Sequence, residues 1–77
     1  MNNFSLTVQT ETKNIDFLNR VMEGYDYLCT VTTINAKEGL VRLWGVGKIG
    51  PVKRVLKGLP FTCLILEEKT EEASHNL

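Results

Sequence analysis

The sequence predicts one small α+β domain with the element order βαββαβ. Four segments have the alternation or the β-branched composition of strands. Two further segments carry apolar residues at helical spacing. The chain has 77 residues, of which 43% are hydrophobic and 23% charged, which is the composition of a single globular domain.

The first half of the chain predicts a strand, a helix and a second strand. Residues 4–10 alternate apolar and polar side chains, as a half-buried strand does. Asn14 can cap a helix over residues 15–23, and Gly24 suits the position after its end. Residues 28–34 are rich in β-branched types and predict the second strand.

The second half predicts a hairpin, a helix and a last strand. Residues 35–39 have the length and the final glycine of a hairpin loop, and residues 40–44 return as the third strand. Pro51 suits the first turn of a helix over residues 51–58. Residues 61–66 are almost wholly apolar and predict the fourth strand.

This order predicts a ferredoxin-like fold, in which both helices pack on one face of a four-stranded antiparallel sheet. The domain would span residues 1–66, and the polar, acidic residues 67–77 would form a disordered tail. The strands contain apolar residues on both sides, so we expect an apolar patch on the open face. We predict a homodimer that covers this face or pairs edge strands, with Leu40, Arg42 and Trp44 as interface residues.

Four stretches of this chain resemble a known family. They are residues 15–20, the Glu-Gly-Tyr-Asp run at 23–26, Val-Thr-Thr at 31–33 and Lys-Glu-Gly at 37–39. The family is an uncharacterised group of short bacterial proteins, classed as a domain of unknown function, and the resemblance covers residues 4–66. It implies a small cytoplasmic bacterial protein and carries no known activity.

The predicted architecture is also similar to that of the amino-acid-binding regulatory domains called ACT. This similarity implies a small dimeric binding or regulatory module. The ligand-binding turn of those domains has an acidic residue followed by a Pro-Gly-Leu-like sequence. Residues 13–18 stand at that place here and lack this turn.

Residues 45–50 match the pattern G-x-G-x-x-G between a predicted strand and a predicted helix. A dinucleotide-binding fold would need further parallel strands, and Pro51 would interrupt a helix that began inside the glycine run. A flexible connection is therefore the favoured interpretation. The alternative is a site for phosphate or another small anion at Gly47, Lys48 and Gly50.

The turn after the first helix carries a second group of candidate ligand-binding residues. Glu23 lies at a helix C-terminus, where the helix dipole disfavours an anion. With Tyr25 and Asp26 it could bind a cation or an amine ligand. The favoured interpretation is that these side chains stabilise the turn itself.

The distribution of charge argues against a general nucleic-acid binder. Nine basic and nine acidic residues give a net charge of zero. Residues 37–57 hold six basic residues and one acid, so contact with RNA or an acidic protein is an alternative to a solvated surface. The third strand offers Trp44 as its only aromatic residue, whereas sheet-based RNA binders present several.

Catalytic and metal-binding patterns are not found in the sequence. The only histidine, His75, lies in the predicted tail, and no cysteine or histidine spacing is typical of a metal site. We therefore expect no cofactor and favour a domain that is not an enzyme. Cys29 and Cys63 are predicted to be reduced core thiols. No signal peptide or membrane-spanning run is apparent, so a cytoplasmic location without membrane contact is expected.

Overall fold

The structure is a computed structural model that describes residues 2–25 and 28–72. Its elements are β1 (Asn2–Gln9), a short 3₁₀ turn (Thr12–Asn14), α1 (Ile15–Glu23), β2 (Thr30–Asn35), β3 (Leu40–Val46), α2 (Gly50–Lys57) and β4 (Leu64–Glu72). The strands form one antiparallel sheet in the order β2-β3-β1-β4. With two helices, this arrangement confirms the predicted ferredoxin-like α+β fold.

The core lies between the helices and one face of the sheet. At its centre, Leu6 of β1 is directly opposite Leu43 of β3, and Val8 is opposite Val41. All four side chains are fully buried. The other buried apolar residues are Phe4, Ile15, Leu18, Met22, Val52 and Leu56. The alternation in β1 thus buries the residues that its periodicity predicts, and each helix buries part of its apolar stripe.

Strand β4 begins later and runs further than predicted. The sequence predicted a strand at 61–66 and a disordered tail at 67–77, whereas β4 spans Leu64–Glu72 and pairs with β1 along its length. The prediction was wrong because β4 is an edge strand. One side of its backbone pairs with β1 while the side chains of residues 64–71 stay exposed, so polar residues are tolerated there. Residues 73–77, including His75, lie outside the described part of the chain.

The open face of the sheet is more polar than the sequence analysis predicted. Trp44 does lie on this face, with 43% of its surface exposed, because its neighbour Leu43 is fully buried on the helix side. The indole Nε1 donates a hydrogen bond of 2.9 Å to Oγ1 of Thr32 on the neighbouring strand. The central strand β1, however, presents polar side chains between β3 and β4. They are Asn3, Ser5, Thr7 and Gln9.

Charged residues of β4 complete this polar surface. Register with β1 places Glu67 beside Thr7 and Lys69 beside Ser5 on the open face. Leu40, Arg42 and Trp44 remain together there, but they adjoin polar and charged neighbours. The open face is therefore mixed: Trp44, Val46 and Leu64 leave exposed apolar surface there, and polar side chains of β1 with Glu67 and Lys69 of β4 lie among them.

The two cysteines are free thiols, half-buried and packed against the core. Burial raises the pKa of the Cys29 thiol above its ordinary value. Burial also raises the pKa of Cys63, and a hydrogen bond with the Thr10 side chain partly opposes that shift. Both thiols are therefore held in the neutral form at neutral pH.

We expect the raised thiol pKa values to appear in alkylation kinetics. The midpoint of the pH–rate profile for iodoacetamide should lie at higher pH in the folded protein than in the same protein unfolded in urea. Because burial disfavours the thiolate, the free energy of unfolding is fully retained below the pKa of the unfolded thiols. It should fall as pH rises from that value through the higher pKa of the folded thiols. Coincident midpoints in the two states would contradict the assignment.

Candidate functional site

A groove of about 700 Å³ lies between the two helices, and we call it the interhelical groove. From α1 and the turn after it, the lining residues are Phe17, Val21, Tyr25 and Leu28. From α2 and the turn after it, they are Pro51, Arg54, Val55, Gly58, Leu59 and Pro60. Eight of these ten residues have apolar or aromatic side chains, so the groove is largely apolar.

Each helix contributes to this groove with a second apolar stripe beside its buried one. On α1, Leu18 and Met22 are buried against the sheet, and Phe17 and Val21 each precede one of them in the sequence. One residue corresponds to about 100° around a helix, so Phe17 and Val21 point sideways and not at the sheet. Val55 stands in the same relation to the buried Leu56 on α2.

An aromatic contact holds Phe17 in place at the groove. Its ring packs edge-to-face on that of Phe61, with the ring centroids 5.6 Å apart and the ring planes at 83°. Because Phe61 packs on Phe17, it lies outside the sheet. The observed strand β4 therefore begins at Leu64 and not at residue 61 as predicted. Phe17 nevertheless leaves 47% of its surface exposed, and Tyr25 is exposed to a similar degree.

A single charged residue stands among the described residues that line the groove. It is Arg54, whose side chain is exposed and takes part in neither of the two ion pairs found within residues 2–25 and 28–72. The neighbouring Lys53 differs, because its Nζ lies 2.9 Å from a carboxylate oxygen of Glu68 on β4. The interhelical groove is therefore an apolar surface with a positive charge at its rim.

Two of the three residues of the predicted turn site lie in the described part of the chain, and they line different grooves. Tyr25 lines the interhelical groove, whereas Glu23 lines a different groove on the other side of α1. Asp26 lies outside the described residues. The backbone amide of Leu28 donates to the carbonyl of Tyr25 at 2.8 Å, which closes the turn. A shared cation or amine site of these three residues stays a prediction.

Two of the three glycines in residues 45–50 have structural roles. Gly45 lies within β3, where a Cβ would be 3.4 Å from Phe4 and from the backbone of Cys29. The amide of Gly47 donates to the carbonyl of Asn2 at 2.7 Å, so it is not free to bind an anion. The side chain of Lys48 is exposed, and Gly50 begins α2. The anion site at this connection stays a prediction, and the amide of Gly47 is not available to it as a hydrogen-bond donor.

The sequence analysis did not identify the interhelical groove. It named Tyr25 as a ligand-binding candidate but not Phe17, Pro51 or Leu59. The available signal was the width of the apolar stripe on each helix. Val21 adjoins Met22, and Val55 adjoins Leu56. These added residues make each apolar stripe wider than a helix needs in order to cover one sheet.

A smaller groove of about 470 Å³, which we call the edge groove, runs between α1 and β2. Its lining residues are Asn19, Met22, Glu23, Cys29, Thr30, Val31 and Thr33. It lies where α1 leaves the helix side of the edge strand partly uncovered. Of its two apolar aliphatic residues, Met22 is buried and Val31 is half-buried.

Within residues 2–25 and 28–72, no helix is long and apolar enough to cross a membrane. The same residues contain no cluster of three or more histidine, cysteine, aspartate or glutamate side chains that could hold a metal ion.

Comparison with known proteins identifies a family for this chain. A family model described as a domain of unknown function (DUF4911) matches residues 8–62. Comparisons with curated proteins and with solved structures gave no match. The matched segment contains both helices and every residue that lines the two grooves. Because the match covers most of the chain, the protein belongs to the DUF4911 family.

Proposed function

We propose that this domain is a small binding module that acts as a homodimer and takes its ligand in the interhelical groove. One observation carries the proposal: an apolar groove of about 700 Å³ with a single cation at its rim. Ligand sites are typically concave and largely apolar, with volumes of about 300–1,000 Å³ and a few polar groups that orient the ligand.

The lining indicates the chemical class of the ligand. Phe17, Val21, Val55 and Leu59 offer contact to an apolar body. The guanidinium of Arg54 offers a planar fork of donors that matches a carboxylate. We therefore propose a small amphipathic anion, with a hydrocarbon or aromatic body and one carboxylate, as the ligand.

The distribution of polar residues on the helices supports a functional groove. Single exposed apolar residues are common on protein surfaces, but a contiguous apolar patch often marks a binding site. Apart from Gly50, the exposed positions outside the groove on both helices hold charged residues. They are Asp16, Arg20 and Glu23 on α1 and Lys57 on α2. The apolar residues are thus concentrated where the helices face each other.

The open sheet face is a less favourable site for nucleic acid. Trp44 and Arg42 would suit stacking and phosphate contact. Glu67 lies on the same face beside Thr7, and Glu71 lies beside Asn3. These carboxylates would repel a phosphate backbone, so the geometry favours the interhelical groove.

A pair of matched ligands tests the proposal. Decanoate and decanol share an apolar chain and differ in the charged group, and both can be titrated against protein-bound 1-anilinonaphthalene-8-sulfonate by fluorescence. We expect saturable displacement by decanoate. Arg54→Gln should weaken decanoate binding about 2–5-fold, as loss of an exposed ion pair does, and leave decanol binding unchanged.

Lys57→Gln is the control for this experiment. It removes the same charge from the same helix, but Lys57 does not line the interhelical groove. It should leave the binding of both ligands unchanged. Equal losses of decanoate affinity in the two variants, or no saturable binding by the unmodified protein, would contradict the proposal.

A further inference from the structure

We infer that two copies of this chain associate through the free edge of β2, forming one continuous eight-stranded sheet. This inference rests on the proposed homodimer and assigns its surface. Strands β2 and β4 are the two edges of the sheet, so each has one side of its backbone without a strand partner among the described residues. Exposed edges of this kind pair readily with another chain unless the sequence prevents it.

The two edges differ in charge, which is a common protection against such pairing. Residues 67–72 of β4 include four glutamates and one lysine, so two copies of β4 would repel each other. Strand β2 has the sequence Thr-Val-Thr-Thr-Ile-Asn, without a charged residue or a proline. Its single irregularity is the register shift between Thr33 and Asn35, which leaves the stretch from Thr30 to Thr33 regularly paired with β3.

The composition of β2 suits pairing with its own copy. Directly opposed residues of an antiparallel pair point to the same face of the sheet. If a two-fold axis relates the two copies, one residue of β2 must therefore lie directly opposite its own copy at that axis. At the middle of β2 that residue is Thr32 or Thr33, and cross-strand threonine pairs are favourable. Ile34, with 48% of its surface exposed, would lose solvent contact in the same arrangement.

The edge groove adds apolar area to this interface. It lies beside β2 on the helix side, where Val31 and Cys29 are incompletely covered by α1. A second copy paired along β2 would bring its own α1 alongside this groove. The association would therefore exclude water from Val31 and Cys29, as well as satisfying the backbone of the edge strand.

Charge introduced at Thr33 tests the assignment. Thr33 is exposed, and in either symmetric register its copy lies directly opposite or diagonally within reach of a long side chain. Sedimentation equilibrium should show a dimer for the unmodified chain. Thr33→Lys and Thr33→Glu should each weaken it by ~5-fold or more, and an equimolar mixture of the two variants should restore association through the opposite charges.

Thr70→Lys places the same charge on the other edge and should leave the dimer unchanged. Circular dichroism confirms that each variant is folded. If the unmodified chain is monomeric up to ~1 mM, where only very weak association would escape detection, both the homodimer and this inference are wrong. If it dimerises but the Thr33 variants dimerise equally well, the homodimer stands and the β2 interface is wrong.

Discussion

Replacing Gly39 with alanine is expected to destabilise the domain by about 3 kcal/mol or more, the combined cost of backbone strain, a steric clash and a disrupted hydrogen bond. Gly39 ends the β2–β3 hairpin loop with φ at 70°, a conformation that alanine rarely adopts. A Cβ at this position would lie 1.7 Å from the carbonyl oxygen of Thr10. One of the two residues would have to move.

Thr10 cannot move at small cost. It is buried, and its amide donates to the carbonyl of Gly39 at 3.0 Å. Its hydroxyl also donates to the carbonyl of Thr62 at 3.0 Å, which ties the segment before β4 to the end of β1. Displacing Thr10 would therefore disturb contacts on both sides of the sheet's central strand. Urea denaturation followed by circular dichroism measures the loss.

Gly58→Ala is the matched control for Gly39→Ala. A Cβ at Gly58 would make only ordinary contact, 3.6 Å from the carbonyl oxygen of Val55, and its φ of -86° suits alanine. The free energy of unfolding should therefore change by less than ~1 kcal/mol, in either direction. Similar losses in the two variants would show that the close approach between Gly39 and Thr10 is not what constrains the hairpin.

Leu6→Ala is expected to cost about 3–5 kcal/mol, the usual range for a leucine truncated in a well-packed core. Leu6 is fully buried on the central strand β1 and lies opposite the fully buried Leu43. A domain of this size is stabilised by only about 4–12 kcal/mol in total. The variant should therefore be partly unfolded at 37 °C or show a greatly reduced midpoint in urea.

Leu64→Ala makes the same truncation on edge strand β4. Leu64 has 56% of its surface exposed, so its loss should change the free energy of unfolding by less than ~1 kcal/mol. The difference between the two variants measures burial at one residue type. If Leu64→Ala is as costly as Leu6→Ala, the face of the sheet that the structure assigns to the core is wrong.

The sequence predicted the helices more accurately than the last strand. The observed α1, Ile15–Glu23, has the predicted bounds because its apolar spacing is a local signal. The predicted end signals were wrong in detail: the Asn14 side chain makes no capping hydrogen bond, and Gly24 follows the helix with φ at -65° and not in the left-handed conformation. The bounds of β4 depend on which backbone pairs with β1. Residues of almost any polarity can occupy an exposed edge strand, so hydropathy could not show that pairing continues to Glu72.

The candidate site was harder to predict than the fold. Alternation in β3 correctly placed Trp44 on the open face, since Leu43 faces the helices. Whether that face was apolar depended on the polar residues of β1 and on the register of β4, neither of which follows from β3 alone. The interhelical groove depends on the distance between two helices, which is a property of tertiary packing and has no local signature in the sequence.

The central claim is that the interhelical groove binds the ligand, and chemical-shift mapping tests it most directly. Titration of the ¹⁵N-labelled protein with decanoate should move the amide resonances of groove residues such as Phe17, Val21 and Val55. The resonances of Thr7 and Trp44, on the open face, should stay in place. Shifts centred on the open face, or no saturable shifts at all, would contradict the account.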